Sequence, residues 1–234
     1  MIQELEVNIK EIIPRTYNVK SFRLKMPKEI NFQAGRFLSV TLKKENGLIR
    51  YLSISNSPTE KGYIEFTKKI TLGNFSKALE RLRPGDWIWI KYPLGNFTLK
   101  EGDSRVAFIS GGIGITPIRS ICKYVVDKKL DVDIALLYAN HSEKDIAFKE
   151  DFDIMQQDYP KLKVTHVLSE PSENLRCRKG LVNHQIIQEE IPDYKKRRFY
   201  LCGPPAMVSA SQKILLDELG LIKEDIVTEN FIGY

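Results

Sequence analysis

Two glycine-rich turns, at residues 111–117 and 202–205, constrain the fold of the second half of this chain. Each follows a short apolar run, residues 106–109 before the first turn and 199–201 before the second. A buried strand that ends in such a turn and continues into a helix is typical of a parallel sheet. Free backbone N–H groups and helix N-termini attract phosphate, so adjacent turns at the carboxyl edge of one sheet predict a dinucleotide crevice.

The first turn reads Gly-Gly-Ile-Gly-Ile-Thr-Pro. We expect Thr116 to be the helix N-cap and Pro117 the first helical residue, since residues 118–129 carry apolar side chains at helical spacing. Three glycines would let a pyrophosphate approach the backbone closely: Gly111, Gly112 and Gly114. The spacing differs from Gly-x-Gly-x-x-Gly, so an ordinary tight turn is the alternative interpretation.

The hydrophobic pattern changes near residue 103. Before it, short alternating segments separated by turns predict an antiparallel Greek-key β-barrel, with strands at 5–13, 19–26, 37–42, 49–54, 63–66 and 87–92 and a helix at 76–82. After it, apolar runs at 106–109, 132–137, 164–168, 199–201 and 226–228 alternate with helical patterns at 117–128, 145–157, 182–190 and 204–219. This alternation predicts a doubly wound parallel α/β sheet. We therefore expect two domains, residues 1–102 and 103–234.

Composition excludes several classes of protein. Hydrophobic residues make up 42% of the chain, enough for well-formed cores, yet no apolar stretch approaches the roughly 20 residues that span a bilayer. The first residues lack the pattern of a signal peptide. Three dispersed cysteines, Cys122, Cys177 and Cys202, fit a reducing compartment and not an iron–sulfur cluster. We expect a cytoplasmic protein with no metal site, since the three histidines lack metal-ligand spacing.

The net charge of +6 is spread along the chain, with one short basic cluster at residues 195–198. It indicates either a lysine-rich solvated surface or electrostatic attraction of an acidic protein or a phosphorylated cofactor. No basic stripe interleaved with aromatic residues is present, so we do not expect nucleic-acid binding.

Three signals follow one another in the first half. Arg50 and several hydroxyl side chains occupy one predicted strand, residues 73–76 open a helix and form a second candidate anion site, and residues 93–97 end the last strand. Taken singly, each is better explained by structure alone, as a strand arginine, an N-capped helix or a Pro/Gly turn. Their order and spacing together favour a functional interpretation.

With these motifs, the sequence resembles the ferredoxin–NADP⁺ reductase superfamily of flavoproteins over essentially its whole length. Residues 50–53 resemble the Arg-x-Tyr-Ser flavin motif, and residues 73–76 resemble the Gly-x-x-Ser pyrophosphate motif. Residues 111–117 resemble the nicotinamide-dinucleotide loop, and residues 202–207 resemble the Cys-Gly-Pro-Pro-x-Met signature. The resemblance implies an FAD-binding barrel followed by an NAD(P)-binding α/β domain.

The resemblance implies roles for the barrel residues. Arg50 would bind the FAD pyrophosphate bidentately, Ser53 would hydrogen-bond the reactive ring nitrogen of the flavin, and Ser76 would help to hold the pyrophosphate. Further flavin contacts are expected from Tyr51, Leu52, Gly73, Asn74 and Phe75. Leu52 stands where the family has tyrosine, and strand alternation predicts that Tyr51 points to the opposite face and cannot replace it.

In the second domain, the resemblance implies that Cys202 positions the nicotinamide as a neutral thiol. The expected dinucleotide contacts are Gly111, Gly112, Gly114, Thr116, Pro117, Ser169, Glu170, Gly203, Pro204, Pro205 and Met207. Glu170 favours a free ribose 2′-hydroxyl and therefore NADH, whereas Arg176, Arg178 and Lys179 would favour the 2′-phosphate of NADPH. We expect NADH.

The candidate catalytic residues are Ser53, Cys202, Glu229 and Tyr234. Tyr234 or Phe231 would cover the flavin by offset stacking, and a tail that merely packs or frays is the alternative.

Three functions are consistent with these motifs. The first is hydride transfer from NAD(P)H to FAD, followed by single-electron transfer to a separate acidic carrier such as ferredoxin or flavodoxin. The second is a reductase that serves an oxygenase, another redox enzyme or free flavin. The third is a non-catalytic component of a larger redox complex.

Overall fold

The computed structural model describes residues 2–26, 30–42, 47–171 and 176–231. In its first half, six antiparallel strands form one sheet: β1 (Gln3–Pro14), β2 (Val19–Lys25), β3 (Phe37–Thr41), β4 (Ile49–Ser53), β5 (Tyr63–Lys69) and β6 (Trp87–Leu94). Their spatial order is β4-β3-β6-β1-β2-β5, and a bridge between Ile54 and Phe66 brings the two edges together. The sheet is therefore a nearly closed barrel, as the alternating pattern predicts.

Alternation of side chains across each strand fills the barrel. Ile88, Ile90 and Tyr92 of β6 point inward and are buried, and Phe22 of β2 stacks on Phe66 of β5 with ring centroids 5.1 Å apart. The short helix α1 (Asn74–Glu80) connects β5 to β6 and buries Phe75 and Leu79 against this core.

The second half is a six-stranded parallel sheet. Its strands are β7 (Arg105–Gly111), β8 (Asp133–Ser142), β9 (Leu162–Glu170), β10 (Arg178–Lys179), β11 (Arg198–Gly203) and β12 (Ile226–Asn230), in the order β10-β9-β8-β7-β11-β12. The helices are α2 (Ile115–Lys128), α3 (Lys149–Asp158), α4 (His184–Glu190) and α5 (Pro205–Lys213), the last continued by a π-helical segment, Ile214–Glu218. The direction of winding reverses between β7 and β11, where doubly wound sheets bind ligands.

Both faces of this sheet are covered because its strands are apolar on both sides. Val106 and Phe108 pack with α2 and α3 in one core, whereas Ala107 and Ile109 pack with α4 and α5 in another. Within the described ranges, no helix combines the length and the apolar composition that crossing a bilayer requires.

Every helix and strand predicted from the pattern is present, with shifted ends. The two-residue strand β10 was not predicted, since two residues are too few to show a repeating pattern of apolar and polar side chains. The domain boundary between residues 102 and 103 stays a prediction; it lies between the last barrel strand, which ends at Leu94, and β7, which begins at Arg105.

The predicted start of α2 is wrong. A 3₁₀ turn, Gly112–Gly114, begins the helical rotation early, so the N-cap is Gly114 and Pro117 is the third helical residue. The Thr116 hydroxyl donates to the carbonyl oxygen of Ile113 at 3.0 Å and caps no N–H group.

Gly114 lies where the two glycine-rich turns touch. A Cβ atom at this position would lie 2.3 Å from the carbonyl oxygen of Cys202 and 2.6 Å from Cα of Gly203. Its φ of −59° suits any residue, so close approach of the two backbones is what requires glycine here.

We expect Gly114→Ala to lower the free energy of unfolding by about 1–3 kcal/mol, the usual range for overpacking, because a backbone carbonyl cannot move aside cheaply. Denaturant titration of the flavin-free protein measures this. Gly73→Ala is the matched control, since its Cβ would meet only the Thr71 hydroxyl, at 3.6 Å. Equal midpoints for the two variants would contradict the packing argument.

Candidate active site

A cavity of about 550 Å³ lies between the barrel and the α/β sheet. Its walls come from β3, β4 and β5 of the barrel, from the turn that begins α2, and from the end of β12. Four consecutive residues predicted to bind flavin border it, Arg50, Tyr51, Leu52 and Ser53, together with Phe37, Ile49, Thr67, Lys68, Ile113, Thr116, Glu229, Asn230 and Phe231. The structure thus brings the flavin motif and the expected catalytic glutamate into one cavity.

Two buried polar atoms in this cavity lack partners within the described part of the chain. They are the hydroxyl oxygen of Ser53, on a residue that is 3% exposed, and Oε2 of Glu229. A buried polar group without a hydrogen bond costs about 1–3 kcal/mol, so such atoms point to a missing ligand. A flavin ring system, with polar ring atoms along one edge, fits a cavity that offers these two groups.

Glu229 and Cys202 are partners in adjacent strands, β12 and β11. Burial raises the pKa of the Glu229 carboxyl to about 7. Burial and the neighbouring Glu229 raise the pKa of the Cys202 thiol well above its ordinary value. Cys202 is therefore a neutral thiol near pH 7, consistent with a positioning role and not with a nucleophile.

The two predicted phosphate motifs of the barrel lie beside each other. The Arg50 guanidinium lies 5.7 Å from the ring centroid of Phe75 and donates to the carbonyl oxygen of Ile49 at 2.8 Å. Ser76 is buried, with its hydroxyl 3.2 Å from that of Thr71, whereas Gly73 is the N-cap of α1 and Asn74 its first, exposed residue. Their binding to a pyrophosphate stays a prediction.

Sequence reasoning missed Lys68 of β5. This lysine is 4% exposed and borders the flavin cavity. Burial and the nearby Arg50 charge lower the pKa of its ammonium group to about 8. The sequence did contain a sign of this position. Alternate residues of a strand share one face, so Lys68 lies on the same face of β5 as the buried Ile64 and Phe66, and a lysine among buried apolar residues calls for an explanation.

Tyr51 and Leu52 lie on opposite faces of β4, as strand alternation predicts. Leu52 packs against the barrel core, and Tyr51 is 70% exposed with its ring edge-to-face on Phe37, yet both residues border the cavity. The reason is that β4 is an edge strand, so both of its faces reach the opening.

A second cavity, of about 290 Å³, lies at the carboxyl edge of the parallel sheet. Five predicted dinucleotide residues border it: Gly111, Gly112, Ser169, Pro204 and Met207. Gly112 has a φ of +52°, and a Cβ there would meet nothing within 4 Å, so its backbone is open to a ligand. A pyrophosphate fits this open backbone edge at the point where the winding of the sheet reverses.

Other predicted dinucleotide residues lie elsewhere. Gly114 and Gly203 pack the two turns together, and Thr116 borders the flavin cavity instead. Pro117 and Pro205 lie within the first turns of α2 and α5, where they shape helices and do not border the second cavity. Spacing alone does not separate glycines that admit a phosphate from glycines that admit another backbone.

Asn140, which sequence reasoning also missed, borders the second cavity at the end of β8. Both polar atoms of its amide are buried and lack a partner among the described residues. The Tyr138 hydroxyl, which lies close to this amide, donates to the carbonyl oxygen of Gly112 at 3.1 Å. Asn140 is therefore a candidate contact for the dinucleotide.

The residues expected to set the cofactor preference lie at the ends of β9 and β10. Glu170 does not border the second cavity; its carboxylate lies 3.4 Å from His141 Nε2, and both side chains are exposed. Arg178 pairs with Glu189 at 2.8 Å and with Glu190 at 2.6 Å. Of the three basic residues that would favour NADPH, Arg178 is thus already paired with carboxylates.

The two cavities meet at the 3₁₀ turn, because Ile113 borders both. Phe231 lies at the rim of the flavin cavity, and its N–H donates to the carbonyl oxygen of Gly203 at 3.1 Å. Tyr234 lies outside the described residues. A dinucleotide and a flavin bound in the two cavities would therefore face each other across one short turn.

Comparisons with known proteins agree with this geometry. A family model for the oxidoreductase FAD-binding domain matches residues 4–99, and one for the oxidoreductase NAD-binding domain matches residues 108–213. NADH-cytochrome b5 reductase 1 of Mortierella alpina is 31% identical over 223 residues, covering 91% of this chain and 74% of that protein.

One component of the Na⁺-translocating NADH-quinone reductase of Idiomarina loihiensis is 30% identical over 216 residues. The match covers 84% of this chain and 52% of that component, so the chain spans about half the length of this relative. The cytochrome b5 reductase domain of Ulva prolifera nitrate reductase has the same fold, with a TM-score of 0.87, 22% identity and 97% of each chain covered.

The barrel, the doubly wound sheet, the two domain models and the level of identity lead to one assignment. The chain belongs to the ferredoxin–NADP⁺ reductase superfamily and is an NAD(P)H-dependent flavin oxidoreductase that binds FAD.

Proposed function

We propose that this chain oxidises NADH and passes the electrons one at a time, through its FAD, to a separate acidic electron carrier such as ferredoxin or flavodoxin. The observation that supports the proposal is that Ile113 borders both cavities, so a nicotinamide bound in one would lie next to a flavin bound in the other. For each NADH oxidised, two carrier molecules would each gain one electron, and one proton would be released.

The flavin, when bound, supplies the conversion of a two-electron transfer into single-electron transfers. The chain supplies orientation and charge. Ser53 donates a hydrogen bond at the flavin edge, Glu229 holds or releases a proton beside it, and the Cys202 thiol fills the space next to the nicotinamide. Arg50 and Lys68 supply positive charge for the FAD pyrophosphate.

The preference for NADH rests on Glu170 and Arg178. An acidic residue at the end of β9 suits a ribose 2′-hydroxyl and repels a 2′-phosphate. The Arg178 guanidinium is held by two glutamates and would have to leave them to bind that phosphate.

The acidic carrier is inferred from charge. The chain has a net charge of +6. A basic protein attracts an acidic carrier and speeds its encounter. The free cysteines Cys122, Cys177 and Cys202 support a cytoplasmic location.

Glu229→Gln tests the role of the buried carboxyl. Since burial raises the pKa of Glu229 to about 7, the group is protonated below pH 7 and becomes a carboxylate above it. A carboxylate beside the ring disfavours the arrival of electrons, so we expect the rate of flavin reduction by NADH to fall as pH rises through 7. Stopped-flow absorbance at several pH values measures this, and the variant should show no such step.

The same pKa shift affects stability. The folded protein keeps a proton on Glu229 between about pH 4.5 and 7, where the unfolded chain has lost it. The titration of Glu229 therefore lowers the free energy of unfolding of the flavin-free protein as pH rises through that window. Denaturant titrations should show that decrease diminished in Glu229→Gln; an unchanged pH dependence in both assays would contradict the assignment.

Glu170→Arg tests the cofactor preference. We expect kcat/KM for NADH to exceed that for NADPH in the natural chain, and the ratio to fall about tenfold or more in the variant, equivalent to about 1.4 kcal/mol. Glu101→Arg is the control, since Glu101 is an exposed acidic residue in the turn before β7. A natural preference for NADPH would overturn the argument from Glu170.

The acceptor is tested by ionic strength. With an acidic ferredoxin or flavodoxin, we expect turnover to fall several-fold between low and high salt, because salt screens the attraction between the partners. Reduction of a small uncharged quinone by the same enzyme should change little. Salt-independent turnover with the acidic carriers, or efficient turnover only with an oxygenase component, would favour the reductase of an oxygenase instead.

A further inference from the structure

Helix α2 is joined to the flavin-binding wall of the barrel by buried polar contacts. The Ser120 hydroxyl donates to the carbonyl oxygen of Asn56 at 2.7 Å, and Nη1 of Arg119 donates to the carbonyl oxygen of Ser55 at 3.2 Å. Both acceptors belong to the segment that directly follows β4, two and three residues beyond Ser53. The helix that begins at the dinucleotide turn is thus bonded to the strand that carries the flavin motif.

Arg119 makes most of these contacts. Its guanidinium donates hydrogen bonds to both carboxylate oxygens of Glu60, which belongs to the barrel. Nη2 lies 3.1 Å from Oε1, and Nη1 donates to Oε2. It also pairs with Asp151 of α3, with Nε at 2.8 Å and Nη2 at 2.7 Å from Oδ2. The Arg119 side chain is 6% exposed, whereas Glu60 and Asp151 are partly exposed, at 16% and 23%.

The charges of this cluster compensate each other. Burial alone would lower the pKa of Arg119 and raise that of Glu60, but their mutual attraction and hydrogen bonds more than offset burial, and both pKa shifts favour the charged forms. Arg15 of the barrel adds a second cross-domain pair with Asp151 at 3.8 Å, and its guanidinium lies 4.7 Å from the centroid of the Phe148 ring.

A buried ion pair of this kind adds little net stability compared with a well-packed apolar contact, because desolvating two charges is expensive. It does fix geometry. The planar guanidinium of an arginine donates two parallel hydrogen bonds to a carboxylate in one bidentate arrangement. Apolar surfaces can shift relative to each other at small cost. The pair therefore restricts how α2 can lie against the barrel wall.

The contacts of Arg119 lie close in the chain to segments that border the two cavities. Arg119 lies on the early part of α2, close to the Gly112–Gly114 turn that separates the two cavities, and Glu60 and Ser55 lie just beyond the flavin strand. Hydride transfer requires reacting atoms about 3–3.5 Å apart, and a displacement of about 1 Å can reduce a rate about a hundredfold.

We propose that Arg119 is a positioning residue for hydride transfer: by clamping Glu60 and the backbone at Ser55, it sets the distance and angle between the nicotinamide and the flavin ring. Arg119 borders neither cavity and touches no cofactor in this arrangement. The inference rests on the placement of FAD and nicotinamide dinucleotide in the two cavities described above.

Arg119→Lys tests the proposal, since it keeps the charge and removes the fork. At saturating NADH, we expect the limiting rate of flavin reduction in stopped-flow to fall tenfold or more. FAD content and the dissociation constant for NADH should change less than threefold. The primary deuterium isotope effect with 4-deuterated NADH should become more temperature-dependent than in the natural chain, as expected when the transfer distance is no longer held.

Two further variants keep the test decisive. Glu60→Gln removes the negative charge that pairs with Arg119 and should reproduce the slow, isotope-sensitive reduction of the flavin. This variant keeps the test possible if Arg119→Lys fails to fold. Arg23→Lys is the matched control, since Arg23 pairs with Glu65 at 2.9 Å and Glu11 at 3.0 Å entirely within the barrel; its reduction rate should stay within twofold of the natural chain.

The outcomes separate this inference from the function it rests on. Loss of thermal stability or FAD content in Arg119→Lys and Glu60→Gln, with normal limiting rates and isotope effects, would show a merely structural role and overturn the inference. A natural chain that binds FAD but is not reduced by either nicotinamide cofactor would instead overturn the placement of the cofactors.

Discussion

The close contact between the two glycine-rich turns determines the rest of the site. Because Gly114 lacks a side chain, the backbone after β7 lies against the carbonyl oxygen of Cys202 at the end of β11. β12 pairs with β11 at the same sheet edge, and its Glu229 borders the flavin cavity from the α/β side. A larger residue at Gly114 would separate the turns and enlarge the gap that Ile113 spans.

The site is incomplete as a hydrogen-bonding structure, and this incompleteness is informative. Among the described residues, buried side-chain atoms without a partner belong to Ser53, Glu229 and Asn140, which border one of the two cavities, and to Ser110 and His166, which border neither. A folded protein tolerates such atoms where a ligand satisfies them. Atoms of this kind that border a cavity therefore destabilise the cofactor-free protein, and they contribute to the affinity for a cofactor that hydrogen-bonds to them.

Much of the fold was predictable from sequence because its signals are local. Alternation with period two marked the barrel strands, apolar runs marked the parallel strands, and the glycine-rich turns marked the ligand edge. The start of α2 was not predictable in this way, since a 3₁₀ turn and a capped helix share the same residues at 112–117. The ends of elements depend on which of the possible local hydrogen bonds the folded backbone makes.

The site was most predictable where a motif is contiguous. Residues 50–53 stand together in sequence and border the cavity together. Lys68 enters because the barrel nearly closes between β4 and β5, and Arg119 meets Glu60 across a gap of 59 positions in sequence, so neither partnership is visible in a local window. Contacts of this kind depend on the assembled fold and not on the spacing of residue types.

The protonation state of Cys202 has a consequence for the durability of the enzyme. Thiolates, and not thiols, react rapidly with peroxides and alkylating reagents. Because burial and the neighbouring carboxyl keep Cys202 protonated, its sulfur is shielded from oxidants that form wherever reduced flavins meet oxygen. Cys202 thus combines the small volume of a cysteine with the chemical inertness of an apolar side chain.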